Sequence, residues 1–466
     1  MKLSINSKDV QEGDIFFCIK GSKFNGHDFI PDAVKNGAKI IIHDEDIKYP
    51  DIKDVTFIKV DNSIDALSHA SASINGYPSD KLKMFGVTGT NGKSSISYII
   101  SKLYSKHFAP CGYIGTISAT LGDKSWPTHL TTPDIIPLHK LLRNMYEGGG
   151  KACAMEASAH GLIQKRLRDV CFDYAIYTNL TKEHMDYFAD MEDYFAAKSI
   201  LFQNLSHDSF AIINNDDPYS QKLKALTKGK IITYGIERDS DYMAKDISFS
   251  KRGSSFTLVH GGKEYNIITN MEVIYNIYNL LAIASVLHNE GLSMYTIAEE
   301  FRSVSGVPGR MLHIDLGQPF EVLVDYAHTI DSFKKLLPYV RERIGDDHKI
   351  IIAYGSPSER DSSNRTLFGK YFNDAADKVI LTQEDSRNED IVEISKEVAL
   401  GFDENFDYEI IPDRESAIEK AVSSANAGDA VLILGKGTEQ YLESNGTSNF
   451  WMGDDEAAKK ALKKLP

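Results

Sequence analysis

Residues 86–95 read GVTGTNGKSS, and no other stretch limits the fold as tightly. The apolar KMFGV before it reads as a strand, and the residues from about Ser94 to Lys106 read as a helix. A strand, a turn of small residues and a Lys-Ser pair at a helix start gather backbone N–H groups around one point. That arrangement suits a phosphate. Lys93 can neutralise β/γ-phosphate charge and Ser94 can ligate Mg²⁺. The spacing is unusual, however. The common phosphate loop begins with a glycine where this chain has Val87, and the glycines here are Gly86, Gly89 and Gly92. Read alone, the stretch is either a phosphate cradle of altered spacing or a Gly-rich turn with a surface lysine.

The strand–loop–helix unit sits in a longer alternation. KACAMEAS, DYAIYTNL and DSFAIINND read as further strands, and YNIYNLLAIASVLHNEG reads as a helix closed by Gly291. Repeated βα order implies a mostly parallel sheet. Upstream, GDIFFCIKG and AKIIIHDE flank a short helix in HDFIPDAVKNGA. Downstream of SGVPGRM, five apolar runs (FEVLVDYA, KIIIAYG, DKVILTQ, YEIIPD and AVLILGKG) alternate with helical stretches. That pattern is a Rossmann-like doubly wound sheet. The expected fold is therefore α/β with three domains: residues 1–80, a small α/β domain; 81–306, a central parallel sheet carrying the phosphate loop; and 307–466, a doubly wound C-terminal sheet.

Bulk properties agree with this division. A chain of 466 residues is too long for one ordinary domain. A formal charge of −14 argues against an extended nucleic-acid-binding surface but leaves room for a local basic pocket. Cys18, Cys111, Cys153 and Cys171 form no C-x-x-C pair and no zinc spacing, so free thiols in a reducing compartment are expected. No run approaches the roughly 18 apolar residues of a membrane span. The first residues, MKLSINSKDVQEGD, lack the apolar core of a signal peptide. A cytoplasmic, monomeric enzyme is the expectation.

The altered loop gains meaning from its company. T-G-T-N-G-K-S is followed in order by TTPD (131–134), MEASAHGL (155–162), YTNLTKEHMDYF (177–188), DYFAAK (193–198), NNDD (214–217), YNIYN (275–279), VPGRM (307–311), VDYAH (324–328) and GKGTE (435–439). This series resembles the Mur ligase family over nearly the whole chain, and TTPD with MEASAHGL is most similar to its MurE type. The resemblance implies an ATP- and Mg²⁺-dependent ligase acting on UDP-N-acetylmuramoyl-L-Ala-D-Glu and a free amino acid. In that chemistry ATP phosphorylates a carboxylate, an amine attacks the acyl phosphate, and an amide forms.

The resemblance also implies roles. Gly89, Thr90, Asn91, Gly92, Lys93, Ser94 and Ser95 match the ATP loop, and Asn276, Arg310, Asp325 and His328 match its contacts near the third domain. Glu156, at a strand's carboxyl end, and Ser94 suit Mg²⁺, which favours hard oxygens from few carboxylates. His184 matches a second metal-site residue. Lys198 matches a lysine that the family carbamylates, which turns a cation into an anionic metal ligand. Thr131, Thr132, Ser158, Gln164 and Arg166 match the grip on the muramoyl dipeptide, and Ser7 falls where the uridine diphosphate is contacted. A related folylpolyglutamate synthase-like ligase and a catalytically silent Mur-like binding protein are the alternatives.

The third domain departs from the pattern. Where diaminopimelate-adding enzymes carry D-N-P-R, this chain reads EDSR at 384–387. Arg387 could hold the incoming α-carboxylate, and Glu384 and Asp385 suit a cationic side chain. Arg360, Gly435 and Glu439 complete the expected amino-acid site. The EDSR substitution slightly favours L-lysine over diaminopimelate; ornithine or a neutral amino acid stays open, as does a loop of solvated charges.

Overall fold

The structure is a computed structural model. It describes residues 2–465 except 22–23, 48–51, 117, 129, 184, 186, 251–252, 305–308, 310 and 359–363. Three sheets follow one another along the chain. The first has four parallel strands in the order Leu3–Ser4, Ile15–Phe17, Ile40–His43 and Thr56–Lys59. Its helix Ser63–Ile74 places Leu67 in a shared apolar cluster with Ile135 of the next unit. The ion pair Lys165–Asp65, at 2.9 Å, spans the same junction.

The central sheet has eleven strands. Seven run parallel: Cys111–Ile114, Ala152–Glu156, Lys83–Thr88, Tyr174–Tyr177, Phe210–Asn214, Lys230–Gly235 and Tyr242–Ser250. Strand Lys83–Thr88 is buried on both faces, which explains its unbroken apolar run. Phe85 and Val87 point to the side packed by helices Lys93–His107 and Ile274–Asn289. Met84 points to the opposite side, packed by helices Ile135–Glu147 and Met191–Gln203. Both edges carry antiparallel additions: Ala119–Leu121 with Lys124–Trp126 on one, and Gly253–His260 with Lys263–Thr269, built onto Tyr242–Ser250, on the other.

The third sheet confirms the five expected strands and adds a short antiparallel one, Leu312–His313. The parallel order is Glu321–Asp325, Ala430–Leu434, Ile350–Tyr354, Lys378–Leu381 and Tyr408–Ile410. Apolar clusters cover both faces. A separate hairpin, Tyr441–Ser444 and Thr447–Phe450, follows. No helix among the described residues is long and apolar enough to cross a membrane.

One core position makes stability pH-dependent. His139 is fully buried in helix Ile135–Glu147, and neither ring nitrogen has a hydrogen-bond partner among the described residues. Burial pushes its pKa down from 6.5 to about 4. The folded state therefore keeps the ring neutral while the unfolded chain takes up a proton. Stability is full above about pH 6.5 and is lost progressively towards about pH 4. The loss is on the order of 3 kcal/mol. His139→Leu should flatten this dependence, so urea unfolding at pH 7 and pH ~4.5 should differ less in the variant than in the parent.

Candidate active site

The phosphate loop leaves the carboxyl end of strand Lys83–Thr88, the centre of the parallel sheet, where open α/β sheets bind their ligands. Its glycines are explained by what surrounds them. Gly89 has φ +144°, and a Cβ there would collide with the Thr178 hydroxyl. Gly92 has φ +90° and caps helix Lys93–His107; a Cβ there would lie 2.6 Å from Asn279 Oδ1. Val87, which stands where the common loop has glycine, is simply core strand.

The segment Thr178–Thr181 clamps this loop. The Thr178 hydroxyl donates to Asn91 O at 2.6 Å, Asn91 N donates to Asn179 Oδ1 at 3.0 Å, and Thr181 N donates to Thr90 Oγ1 at 3.0 Å. Two lysines meet there. Lys93 Nζ donates to the carbonyls of Gly89 (2.9 Å) and Thr90 (2.7 Å), and Lys198 Nζ donates to Gly89 O at 2.9 Å. Lys198 is buried and lies over the Tyr194 ring. Burial, and then the charge of Lys93, hold its pKa well below the usual lysine range. A buried amine that is uncharged is nucleophilic. Ser94 is buried at the helix start.

Glu156 is buried at the end of strand Ala152–Glu156. Its Oε1 accepts from the Tyr113 hydroxyl (2.8 Å) and Thr116 N (2.9 Å). The same strand end organises the expected dipeptide residues. Thr132 Oγ1 donates to Glu156 O and accepts from Ser158 N; the Thr131 and Thr116 hydroxyls are 3.0 Å apart. Arg166 donates to Thr132 O at 2.8 Å and to Gln164 Oε1 at 2.6 Å, and it pairs with Asp134 at 3.0 Å. Thr131, Thr132, Ser158, Gln164 and Arg166 thus form one patch beside Glu156. Ser7 is buried in the first domain, where its carbonyl accepts from Asn36.

A cavity of about 470 Å³ opens next to the loop. Asn91, Gly92, Ser95, Asn276 and Asp325 line it, so the loop, the helix Ile274–Asn289 and the third domain share one space. Sequence reasoning missed Glu272 and Lys335, which also line it. Glu272 binds Arg343 of the third domain at 2.9 Å and lies 3.6 Å from His313. His328 turns elsewhere: Nδ1 bonds Tyr326 O, and Nε2 lies 3.5 Å from Glu183 of the central domain. Burial lowers the His328 pKa, but Glu183 outweighs it and the net shift is upward. His184, Arg310 and Arg360 lie outside the described residues.

The remaining expected residues follow the carboxyl ends of strands Lys378–Leu381 and Ala430–Leu434, which flank Ile350–Tyr354 in the third sheet. Lys436 is the centre, pairing with Asp385 (2.9 Å) and Glu439 (2.6 Å) over the Tyr441 ring. The two acidic residues of EDSR therefore differ. Asp385 has its cation and also accepts from Glu443 N, whereas Glu384 Oε2 is buried against Gly435 with no hydrogen-bond partner among the described residues. Burial is the main reason that Glu384 is raised to about 7. Beneath them Arg414, itself buried, bonds Asp454 twice at 2.7 Å and donates to Gln383 O and Leu434 O. That fork ties two strand ends together. Lys436 stood inside a recognisable motif; Arg414 and Asp454 carried no local signal.

Family models and known proteins match the chain along most of its length. Three family models cover the chain in order: Mur ligase family, catalytic domain, at residues 2–74; Mur ligase middle domain at 87–287; and Mur ligase, glutamate ligase domain, at 309–437. A curated UDP-N-acetylmuramoyl-L-alanyl-D-glutamate--2,6-diaminopimelate ligase of Geobacillus thermodenitrificans is 38% identical over 446 residues, spanning 94% of this chain and 90% of that protein. A solved structure of an enzyme with that name superimposes with TM-score 0.68 at 28% identity, covering 99% and 94% of the two chains. Folylpolyglutamate synthase of Mycobacterium tuberculosis also reaches 0.68, but at 15% identity, which shows a shared fold alone; 86% of this chain and 96% of that one are covered. With family models on all three domains and a full-length relative, the chain belongs to the Mur ligase family of ATP-dependent, amide-forming ligases.

Proposed function

We propose that this enzyme adds the third amino acid to UDP-N-acetylmuramoyl-L-Ala-D-Glu through an acyl phosphate. The observation that carries this reading is the joining of Glu156 to the Thr131, Thr132, Ser158 and Arg166 patch, beside a loop clamped for ATP. Arg166 offers a planar fork for the dipeptide's carboxylate. The D-Glu side-chain carboxylate attacks the γ-phosphorus of ATP, ADP leaves, and Lys93 offsets charge on the transferred phosphoryl group. The amine then forms a C–N bond at the acyl carbon, and the C–O bond breaks to release phosphate. The incoming ammonium must first lose a proton, and Glu384, near 7, is suited to take it. Domain closure at the third sheet would keep water from the acyl phosphate.

Mg²⁺ fits the donor set, and when bound it neutralises phosphate charge. Among the described residues no three His, Cys, Asp or Glu side chains form a cage. Ser94, Glu156, a carbamate on Lys198, His184 and the phosphates would supply the oxygens and nitrogen instead. Burial disfavours the charged form of Lys198, and the neutral amine is the form that reacts with CO₂.

The amino acid is read as a diamino acid. The names of the relatives favour 2,6-diaminopimelate. L-lysine is the second reading, because EDSR stands where D-N-P-R is expected and Glu384 Oε2 has no hydrogen-bond partner among the described residues. The test is isotope transfer. With heavy oxygen in the D-Glu side-chain carboxylate, one labelled oxygen should appear in the released phosphate. Unlabelled phosphate would rule out the acyl-phosphate route.

A further inference from the structure

The hairpin Tyr441–Phe450 contributes little to the core: its outer strand Thr447–Phe450 is exposed throughout. Its inner strand instead grips the EDSR loop. Arg387 N donates to Glu443 O at 3.0 Å, and Asn445 N donates to Arg387 O at 2.5 Å. Glu443 N donates to Asp385 Oδ1 at 3.0 Å, and Arg387 Nε donates to Glu443 Oε2 at 3.0 Å. Arg387 also donates through Nη1 to Ser358 O. The grip holds an unfavourable backbone, since Arg387 has φ +43°, in the left-handed region that side chains avoid. Four bonds to this hairpin thus fix one arginine and one aspartate of a candidate binding loop.

We infer that Glu443 is a positioning residue for the incoming amino acid: it orients Arg387 through Nε so that the far side of the guanidinium receives a substrate carboxylate. This rests on the amino-acid site proposed above. Held at Nε by Glu443 and at Nη1 by Ser358 O, the planar group has lost most of its rotational freedom before substrate arrives. Pre-ordering of that kind acts on binding and not on the chemical step. The ion pair is partly exposed, so its effect is modest, about fivefold in affinity.

The test compares Glu443→Ala and Glu443→Gln with the parent enzyme in steady-state ligation. Glu443→Ala should raise KM for the amino acid about fivefold, with kcat and the KM for ATP unchanged. Glu443→Gln keeps an oxygen that can accept from Nε and should recover most of the loss. In an Arg387→Gln background, Glu443→Ala should have no further effect on KM. A fall in KM in Glu443→Ala would overturn the inference, because Glu443 would then compete with the substrate for Arg387. An unchanged KM, or equal losses in kcat and both KM values, would overturn it too. A parent enzyme inactive with every amino acid would defeat the functional reading itself, and this inference with it; activity in the parent with the wrong variant pattern defeats only this inference.

Discussion

Lys93→Ala should lower ligation by roughly 10³-fold while the protein stays folded. The side chain donates to carbonyls of its own loop, Gly89 and Thr90, and is not part of the apolar clusters on either face of the sheet, so its removal empties no apolar core. It is the loop's own cation, and phosphoryl transfer relies on charge placed where it develops. Losing one such group typically costs about 10²–10³ in rate. The check is kcat with saturating ATP alongside thermal unfolding. Near-parental kcat in a folded variant would remove Lys93 from the chemistry. Glu156 is a less clean target, because its carboxylate also accepts from Tyr113 and Thr116 and its loss would disturb the wall of the site.

The largest expected effect on stability lies far from ATP. Asp454→Asn should destabilise the third domain by about 3–5 kcal/mol. Arg414 and Asp454 are both buried, and their two bonds of 2.7 Å offset the cost of taking both charges out of water. Neutralising the aspartate leaves a guanidinium buried without its counter-ion. It also loosens a fork that spans the ends of strands Lys378–Leu381 and Ala430–Leu434, through Gln383 O and Leu434 O. Because EDSR and GKGTE extend from those ends, KM for the amino acid should rise as well. Denaturant unfolding should show an earlier transition for the third domain with the remaining domains unchanged. A shift under 1 kcal/mol would mean that the pair is dispensable.

Some of this was legible in the residues. The strand–loop–helix at 83–107 follows from apolar run, small turn and Lys-Ser start, and the parallel sheets follow from βα alternation. Segments with weaker patterns were not. The strand Tyr242–Ser250 mixes charged and apolar residues because its far half is exposed, and the outer strand of the last hairpin has no buried residue to betray it. The candidate site divides in the same way. Residues within one motif, such as Lys93 and Ser94, could be named from spacing. Partnerships that depend on separate strand ends meeting could not: Asp385 pairs with Lys436, while Glu384 Oε2 has no hydrogen-bond partner among the described residues, and nothing local announces the difference. Glu443 was overlooked for a related reason. It lies in a stretch without apolar periodicity, and only the fold carries it to Arg387.

The decisive measurement is phosphate release by the parent enzyme with ATP, Mg²⁺ and UDP-N-acetylmuramoyl-L-Ala-D-Glu, run against single amino acids. Diaminopimelate and L-lysine head the series, with ornithine and neutral amino acids beside them. The expected result is turnover that requires both the muramoyl dipeptide and a diamino acid, with one amide formed per phosphate. Phosphate release that ignores the amino acid, or none with any member of the series, would contradict the central claim.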